Sequence, residues 1–393
     1  MISGTRAVAY TPMSHATRPL PRAAYVHIPF CRHRCGYCNF TLVAGRDDLI
    51  DSYLAAIERE LSFLGQPREV DTLFLGGGTP THLPPAKLHR LLELVREWFP
   101  LAGGYEFSIE ATPIDLNTDV SRILVQHGVT RISLGVQSFD GDKLKMLERD
   151  HRADDICRAY DHARAVASSV SLDLIFAVPG ESLAGWQRDL NAALALHPDH
   201  LSTYGLTFEK GTSYFSRLLR GDLQQQEEES ERRMYEAAIT TLTRHGFEHY
   251  EISNFARPGH RCRHNEVYWR GQPYYAAGPG AARYVSGIRE TNHRSVATYL
   301  KRVHAGESPV AETEQLGTEE AARERLVFQL RMLEGVDVER FESETGCSLE
   351  TLAGVPLRRY TEMGLLERSA THLKLSRKGL FVSDSLWPAI LQP

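Results

Sequence analysis

Three of the chain's six cysteines, Cys31, Cys35 and Cys38, fall within eight residues of one another, inside a segment running from Tyr25 to Phe40. They follow a short apolar run with strand character, and the loop at the end of a strand is where α/β proteins place reactive groups. Three thiolates this close can converge on one metal centre, whereas a closed structural site uses four ligands. On a [4Fe-4S] cube, three cysteines hold three irons and leave the last open to an exchangeable ligand. A zinc knuckle completed by His27 or His33 is the competing reading. Structural zinc sites usually draw on a second Cys pair, however, and no second pair is present. A disulfide is disfavoured, since three clustered cysteines cannot all pair and a long, cysteine-poor chain suits a reducing compartment.

Such a loop needs a scaffold, and the sequence supplies one. From Ala24 onward, β-rich runs at 24–28, 72–75, 105–110, 131–137, 171–178 and 200–206 alternate with amphipathic stretches. In the first stretch Ile50, Tyr53, Leu54, Ile57, Leu61 and Leu64 recur at helical spacing behind Asp47 and Asp48; in the second, Leu88, Leu91, Leu92, Val95 and Phe99 do so. Six β-α units predict an α/β fold, a parallel barrel that need not be complete. Its chemistry belongs at the C-terminal strand ends. There the second strand leads into Gly76-Gly77-Gly78-Thr79-Pro80-Thr81, whose glycines let backbone approach a ligand closely. The third strand ends in Glu110, the fourth in Gln137, and the fifth carries Asp173 ahead of Pro179-Gly180. Taken singly, each is an ordinary turn or rim residue. Together, on the face that carries the cysteines, they predict one site.

The cysteine spacing resembles the signature of the radical S-adenosylmethionine (SAM) superfamily. In that superfamily the methionyl amino and carboxylate groups of SAM chelate the open iron, and the reduced cluster cleaves SAM to a carbon-centred radical. Tyr25-x-His27-Ile28-Pro29-Phe30-Cys31, the Gly76 to Thr81 loop, Ser108-Ile109-Glu110, Gly135-Val136-Gln137-Ser138-Phe139 and Asp173-Leu174-Ile175 resemble the oxygen-independent coproporphyrinogen III oxidase group. Within that group the likeness is to its haem-chaperone branch, and it runs from about residue 23 to the end. It implies a partial (β/α)6 barrel of TIM type with a small C-terminal winged-helix-like α+β domain. It also implies a [4Fe-4S] cluster on Cys31, Cys35 and Cys38. SAM is then bordered by Tyr25, Gly77, Gly78, Thr79, Glu110, Gln137, Arg149 and Asp173, with Tyr37 by the adenine. Arg149 is the kind of group that pairs with a carboxylate, although by itself it reads as a solvated helix-end arginine.

In the second half, 224–245 reads as one helix with Met234, Tyr235, Ala238, Ile239 and Leu242 on its apolar face. Its acidic start, Glu227-Glu228-Glu229, suits the helix dipole. A last strand is expected over 250–255. His264-Asn265-x-x-Tyr268-Trp269 then resembles the motif associated with haem in the chaperone branch. An imidazole can ligate haem iron, and Tyr268 and Trp269 offer flat apolar surface. The plainer reading is that the aromatics seal the open side of the barrel and His264 is a hydrogen-bonded core residue. The resemblance also has a departure: Ala282 and Arg283 follow the Gly278-Pro279-Gly280-Ala281 turn, where the family commonly has histidine and serine. Cys262 is a nearby soft ligand that the spacing does not select over His264.

The expected organisation is a flexible leader over 1–22, the barrel over 23–255, a barrel-closing segment over 256–304, a linker over 305–317 and the C-terminal domain over 318–393. The last carries ten Lys and Arg against twelve Asp and Glu, which leaves no basic stripe for nucleic acid despite its winged-helix pattern. Cys157 and Cys347 read as packing residues. The net charge of −5 and the absence of a run of ~20 apolar residues predict a cytoplasmic protein. Two functions survive. One is a haem carrier, whose partners are haem, a haem-acceptor protein and, as a further option, a second copy of the chain. The other is a coproporphyrinogen III decarboxylase. In the decarboxylase a fourth cysteine follows the third cluster cysteine by two positions. Phe40 stands there instead, and with the His264 to Trp269 motif it favours the carrier.

Overall fold

All six β-rich runs form strands, because each is a short stretch of Val, Ile, Leu and Phe with few polar breaks, the pattern of a sheet buried on both faces. In the computed structural model, which describes residues 20–392, they are β1 (Ala23–Ile28), β2 (Val70–Gly77), β3 (Leu101–Ala111), β4 (Arg131–Gln137), β5 (Ser169–Phe176) and β6 (His200–Gly205). Between and after them lie α1 (Ile50–Ser62), α2 (Pro85–Trp98), α3 (Thr118–Gln126), α4 (Gly141–Met146), α5 (Ala153–Val166), α6 (Leu183–Ala195), α7 (Ser213–Leu219) and α8 (Glu228–Arg244). β7 (Glu248–His249), β8 (Asn254–Ala256), α9 (Arg263–Trp269) and β9 (Tyr275–Ala277) follow. The sheet order is β9-β1-β2-β3-β4-β5-β6-β8-β7. Strands β1 to β6 and β9 run parallel, and β8 and β7 turn antiparallel at one edge. The edge strands β9 and β7 do not pair with each other, so the barrel is partial and its open side must be covered by other elements.

Two expectations change. The strand expected over 250–255 is shorter than that: 250–253 form a turn between β7 and β8, and only Asn254 and Phe255 lie in β8. The Glu251 carboxylate accepts from Ser253 N at 2.9 Å and Asn254 Nδ2 at 2.5 Å, local bonds that compete with the sheet ladder. The stretch expected as a linker over 305–317 contains a strand. Val310–Glu314 (β12) pairs antiparallel with β11 (Ile288–Asn292), which in turn pairs with β10 (Ala282–Val285). Its charged, exposed side chains hide it from a composition-based reading, yet the edge of β11 offers it a full ladder. Of the leader expected over 1–22, residues 1–19 lie outside the described residues, while Arg22 is paired with Asp71 and Glu69.

Helix α10 (Val296–Ala305) lies between β11 and β12. The C-terminal part comprises α11 (Thr318–Leu330), β13 (Val336–Asp337), α12 (Val338–Thr345), α13 (Leu349–Glu362), β14 (Leu366–Arg368), β15 (His372–Leu375), α14 (Arg377–Leu380) and α15 (Ser383–Leu391). Its three strands form a small sheet of order β13-β15-β14, the α+β pattern expected. No helix among the described residues is long and apolar enough to cross a membrane.

A buried carboxylate on α1 ties the closing segment to the barrel. Glu60 on α1, 4% exposed, accepts hydrogen bonds from Gly278 N at 2.8 Å, Asn292 Nδ2 at 2.6 Å and Tyr299 OH at 2.6 Å. Removing it strands three buried donors. Glu60→Ala is therefore expected to cost roughly 2–5 kcal/mol in urea unfolding; a loss below about 0.5 kcal/mol, the scale of an ordinary surface substitution, would show that these donors find other partners.

Candidate functional site

The cysteine loop is folded back on its own strand. Phe30 and Cys31 pair with Val43 and Ala44 in a short parallel ladder, Val43 N donates to Pro29 O at 2.7 Å, and Arg34 Nη2 caps Leu42 O at 2.6 Å. Within it Cys38 N donates to Cys35 O at 3.0 Å, a tight turn between the second and third cysteines. The glycine loop is bound to the same segment: Gly78 N donates to Ile28 O at 2.8 Å and Thr79 N to Phe30 O at 2.7 Å. Only glycine fits here. Gly77 has φ 102° and a Cβ would lie 2.2 Å from the His27 ring; at Gly78 a Cβ would lie 2.7 Å from the Ile28 and Phe30 carbonyl oxygens.

Cys31, Cys35 and Cys38 line one cavity of about 640 Å³, together with Tyr37, Gly77, Gly78, Thr79, Glu110, Gln137, Arg149 and Asp173. The strand-end residues anticipated from sequence are thus brought to one place, as a parallel barrel requires. Cys31 Sγ lies 3.4 Å from Thr79 Oγ1. Arg149 reaches across from the turn after α4, its Nη1 3.6 Å from Cys35 Sγ and its Nη2 donating to Gly135 O at 3.0 Å; its buried Nε has no partner. Gln137 holds φ 65°, a left-handed conformation costing about 1–3 kcal/mol in a non-glycine residue and characteristic of binding sites.

Three cysteines lining one cavity are the donor set that the sequence led one to expect for a cluster with one open iron. Among the described residues no three His, Cys, Asp or Glu side chains converge on one point, and neither His27 nor His33 completes a tetrahedral set. The His27 Nε2 is bonded to Thr41 O at 2.6 Å and the His33 Nε2 to Glu148 O at 2.5 Å. Burial pushes the Cys31 thiol up to about 11 and raises that of Cys38, so in the metal-free chain these sulfurs keep their protons and become ligands by releasing them.

Two half-buried carboxyls line the same cavity as the thiols. Burial pushes Glu110 up to about 7, against the hydrogen bond from Gly77 N at 2.9 Å. It also raises Asp173, whose oxygens accept from Ser133 Oγ at 3.0 and 2.9 Å. At the mouth, Asp115 bonds Arg32 of the cysteine loop at 2.9 Å. Burial pushes that carboxyl up, but hydrogen bonds from His82, Thr112 and Arg32 prevail and hold it at about 2. Sequence reasoning passed over Asp115, and also Tyr204, which lines the cavity from the end of β6. Tyr204 was within reach of the strand-end argument, since it stands one residue before the end of the sixth strand. Asp115 carried no such signal.

Tyr25 and His264 stand apart. Tyr25 OH is bonded to His27 Nδ1 at 2.9 Å, and its ring lines a second cavity, of about 1320 Å³, rather than the first. His264, 1% exposed, has both ring nitrogens engaged: Nδ1 with Thr72 Oγ1 at 2.9 Å and Nε2 with Tyr268 OH at 2.8 Å. Burial pushes its imidazole down to about 3. Backbone N–H groups of Arg263 and His264 donate to the Glu106 carboxylate at 3.1 and 3.0 Å, fixing α9 against β3. The expectation that His264 ligates haem therefore meets a neutral, fully bonded core imidazole with no free nitrogen. Tyr268 and Trp269, from the same motif, do face the second cavity.

Residues 25–193 match the family model of the radical SAM superfamily, and residues 316–382 that of the HemN C-terminal domain. Fold and cavity together are those of a radical SAM protein. The chain is 35% identical over 376 residues to the heme chaperone HemW of Bacillus subtilis, covering 94% of this chain and 99% of that one. It is 36% identical to the heme chaperone HemW of Synechocystis sp., with 89% and 88% covered, and 33% identical to the mitochondrial radical S-adenosyl methionine domain-containing protein 1 of Danio rerio, with 96% and 88% covered. Within the superfamily the chain belongs to the HemW family. The fold is shared with the solved coproporphyrinogen III oxidase HemN from Escherichia coli at a TM-score of 0.83, with 24% identity over 94% of this chain and 90% of that one.

Two predictions follow from this geometry. Because Glu110 ionises near pH 7 in the folded chain and at about 4.5 otherwise, the folded state retains a proton that the unfolded state has released. The stability this contributes is complete below about pH 4.5 and is lost as pH rises through about 7. In the cluster-free protein, Glu110→Gln should therefore raise the urea midpoint relative to the parent at pH 8 but not at pH 5; equal differences at both would refute the raised ionisation. His264→Ala should cost about 1–3 kcal/mol of stability through its two lost hydrogen bonds and leave the absorption spectrum of added haem unchanged. A lost or shifted Soret band would reinstate the imidazole as a ligand.

Proposed function

We propose that the protein is a haem chaperone of the cytoplasm: it binds haem and passes it to an acceptor protein, on a barrel that also carries a [4Fe-4S] cluster and SAM. The observation that carries this reading is the end-to-end likeness to the HemW proteins, which extends through the closing segment and the C-terminal domain. Phe40 supports it too, since the decarboxylase reading calls for a cysteine at that position.

In this reading Cys31, Cys35 and Cys38 hold three irons and leave the fourth for SAM. With both bound, the cluster supplies one-electron cleavage of the sulfonium. The chain's own residues do the rest. Arg149, already beside Cys35, offers a charged fork for a carboxylate. Glu110 and Asp173 are half-buried acceptors for a cationic or hydroxyl group. The Gly77-Gly78-Thr79 backbone allows close approach, and Tyr37 closes the cavity with an apolar ring. Because Glu110 must release its proton to meet a cationic partner, SAM affinity is expected to rise with pH through about 7.

Cys35→Ala should leave a protein that folds but shows no [4Fe-4S] absorption after anaerobic reconstitution; a retained cluster would overturn the ligand assignment. For the function itself, the reconstituted protein is incubated anaerobically with SAM, reductant and coproporphyrinogen III, and product mass is read after oxidation. No loss of carboxyl groups is expected, while a parallel sample binds haem stoichiometrically and yields it to an apo-haemoprotein. Loss of two carboxyl groups over many turnovers would make the protein a decarboxylase.

A further inference from the structure

We propose that the second cavity is the seat of the haem, and that Arg294 binds one of its propionate carboxylates. The inference rests on the haem-chaperone reading and adds to it a location and a recognition residue.

The cavity lies between the closing hairpin, β10 and β11, and α11. At about 1320 Å³ it exceeds the roughly 300–1,000 Å³ of an ordinary small-molecule cleft, as a broad, flat ligand requires. Its walls carry aromatic rings suited to a macrocycle face. Tyr268 and Tyr274 meet edge to face at 4.6 Å, and Trp269 and Phe328 at 6.4 Å. Phe40, 62% exposed, stands where this cavity adjoins the cluster cavity, and both Asn39 and Phe40 line the two spaces.

Charge selects the anchor. Most arginines around the cavity are already committed: Arg289 to Glu314 and Glu324, Arg325 to Glu344, Arg270 to Glu334. Arg294 has no carboxylate partner among the described residues. Its Nη2 donates to Asn39 O at 2.6 Å and its Nε to Thr41 Oγ1 at 3.3 Å. These bonds fix the guanidinium at the cavity wall and leave Nη1 for a ligand. A lone, oriented guanidinium beside a large aromatic cavity calls for an amphipathic ligand that is flat and carries carboxylates. Because Arg294 is held by the backbone of the cysteine loop, a carboxylate bound there would sit against the residues that wall the cluster cavity.

The test titrates haem and haem dimethyl ester, whose carboxylates are blocked, into the cluster-loaded full-length protein and reads the Soret band. The parent chain should prefer haem by about tenfold or more, the scale of one charge-assisted contact. Arg294→Gln should bring haem down to the affinity of the ester while leaving the ester unchanged, and Arg294→Lys should restore part of the preference. The ester serves as control for a damaged site. If Arg294→Gln keeps the preference, or weakens both ligands equally, the anchor is wrong. A parent chain that binds haem without preferring the free acid would overturn the anchor and leave the chaperone reading intact. One that binds no haem would remove that reading and this inference with it.

Discussion

Two backbone hydrogen bonds, Gly78 N to Ile28 O and Thr79 N to Phe30 O, hold the site together. They bind the loop after β2 to the segment entering the cysteines, so that the thiols and the close-approach backbone form one wall. The contact is tolerant of nothing larger than glycine, because His27 and two carbonyl oxygens already occupy the space a Cβ would need. His27 is itself fixed, by Tyr25 OH and Thr41 O, and Tyr53 of α1 donates to its carbonyl at 2.7 Å. The first helix, the first two strands and both loops thus constrain each other, and the site's geometry follows from how β1 is held between α1 and β2.

Much of this was legible in the sequence because it depends on short-range rules. Strands buried on both faces leave apolar runs, three thiols in eight residues have few uses, and a parallel barrel sends Glu110, Gln137 and Asp173 to one end. What escaped depended on long-range partners. β12 is a charged, exposed strand that exists because β11 presents an unpaired edge. The turn at Glu251 arises from a side chain competing with its own backbone. Asp115 became a support of the cysteine loop through Arg32, which lies 83 residues away in sequence. Tyr25, adjacent to the site in sequence logic, faces the other cavity because it is engaged with His27.

His264 illustrates the same limit. The motif suggested an iron ligand, and residue type alone cannot distinguish an imidazole open to a ligand from one locked between Thr72 and Tyr268. In the fold the motif divides: His264 and the start of α9 bind Glu106 and Thr72 and seal the barrel, while Tyr268 and Trp269 are left to face the large cavity. A segment that closes the open side of a partial barrel can in this way also form a wall for a ligand, and the second cavity meets the first at Asn39 and Phe40.

The most direct test of the account is an anomalous-scattering map at the iron edge from crystals of the reconstituted, haem-loaded protein. The account predicts two separate iron sites: one against Cys31, Cys35 and Cys38, and a second, haem-borne, within the cavity walled by Tyr268, Trp269 and Phe328, with a haem carboxylate at Arg294. Iron bonded to the His264 imidazole, or no iron at the three cysteines, would contradict it.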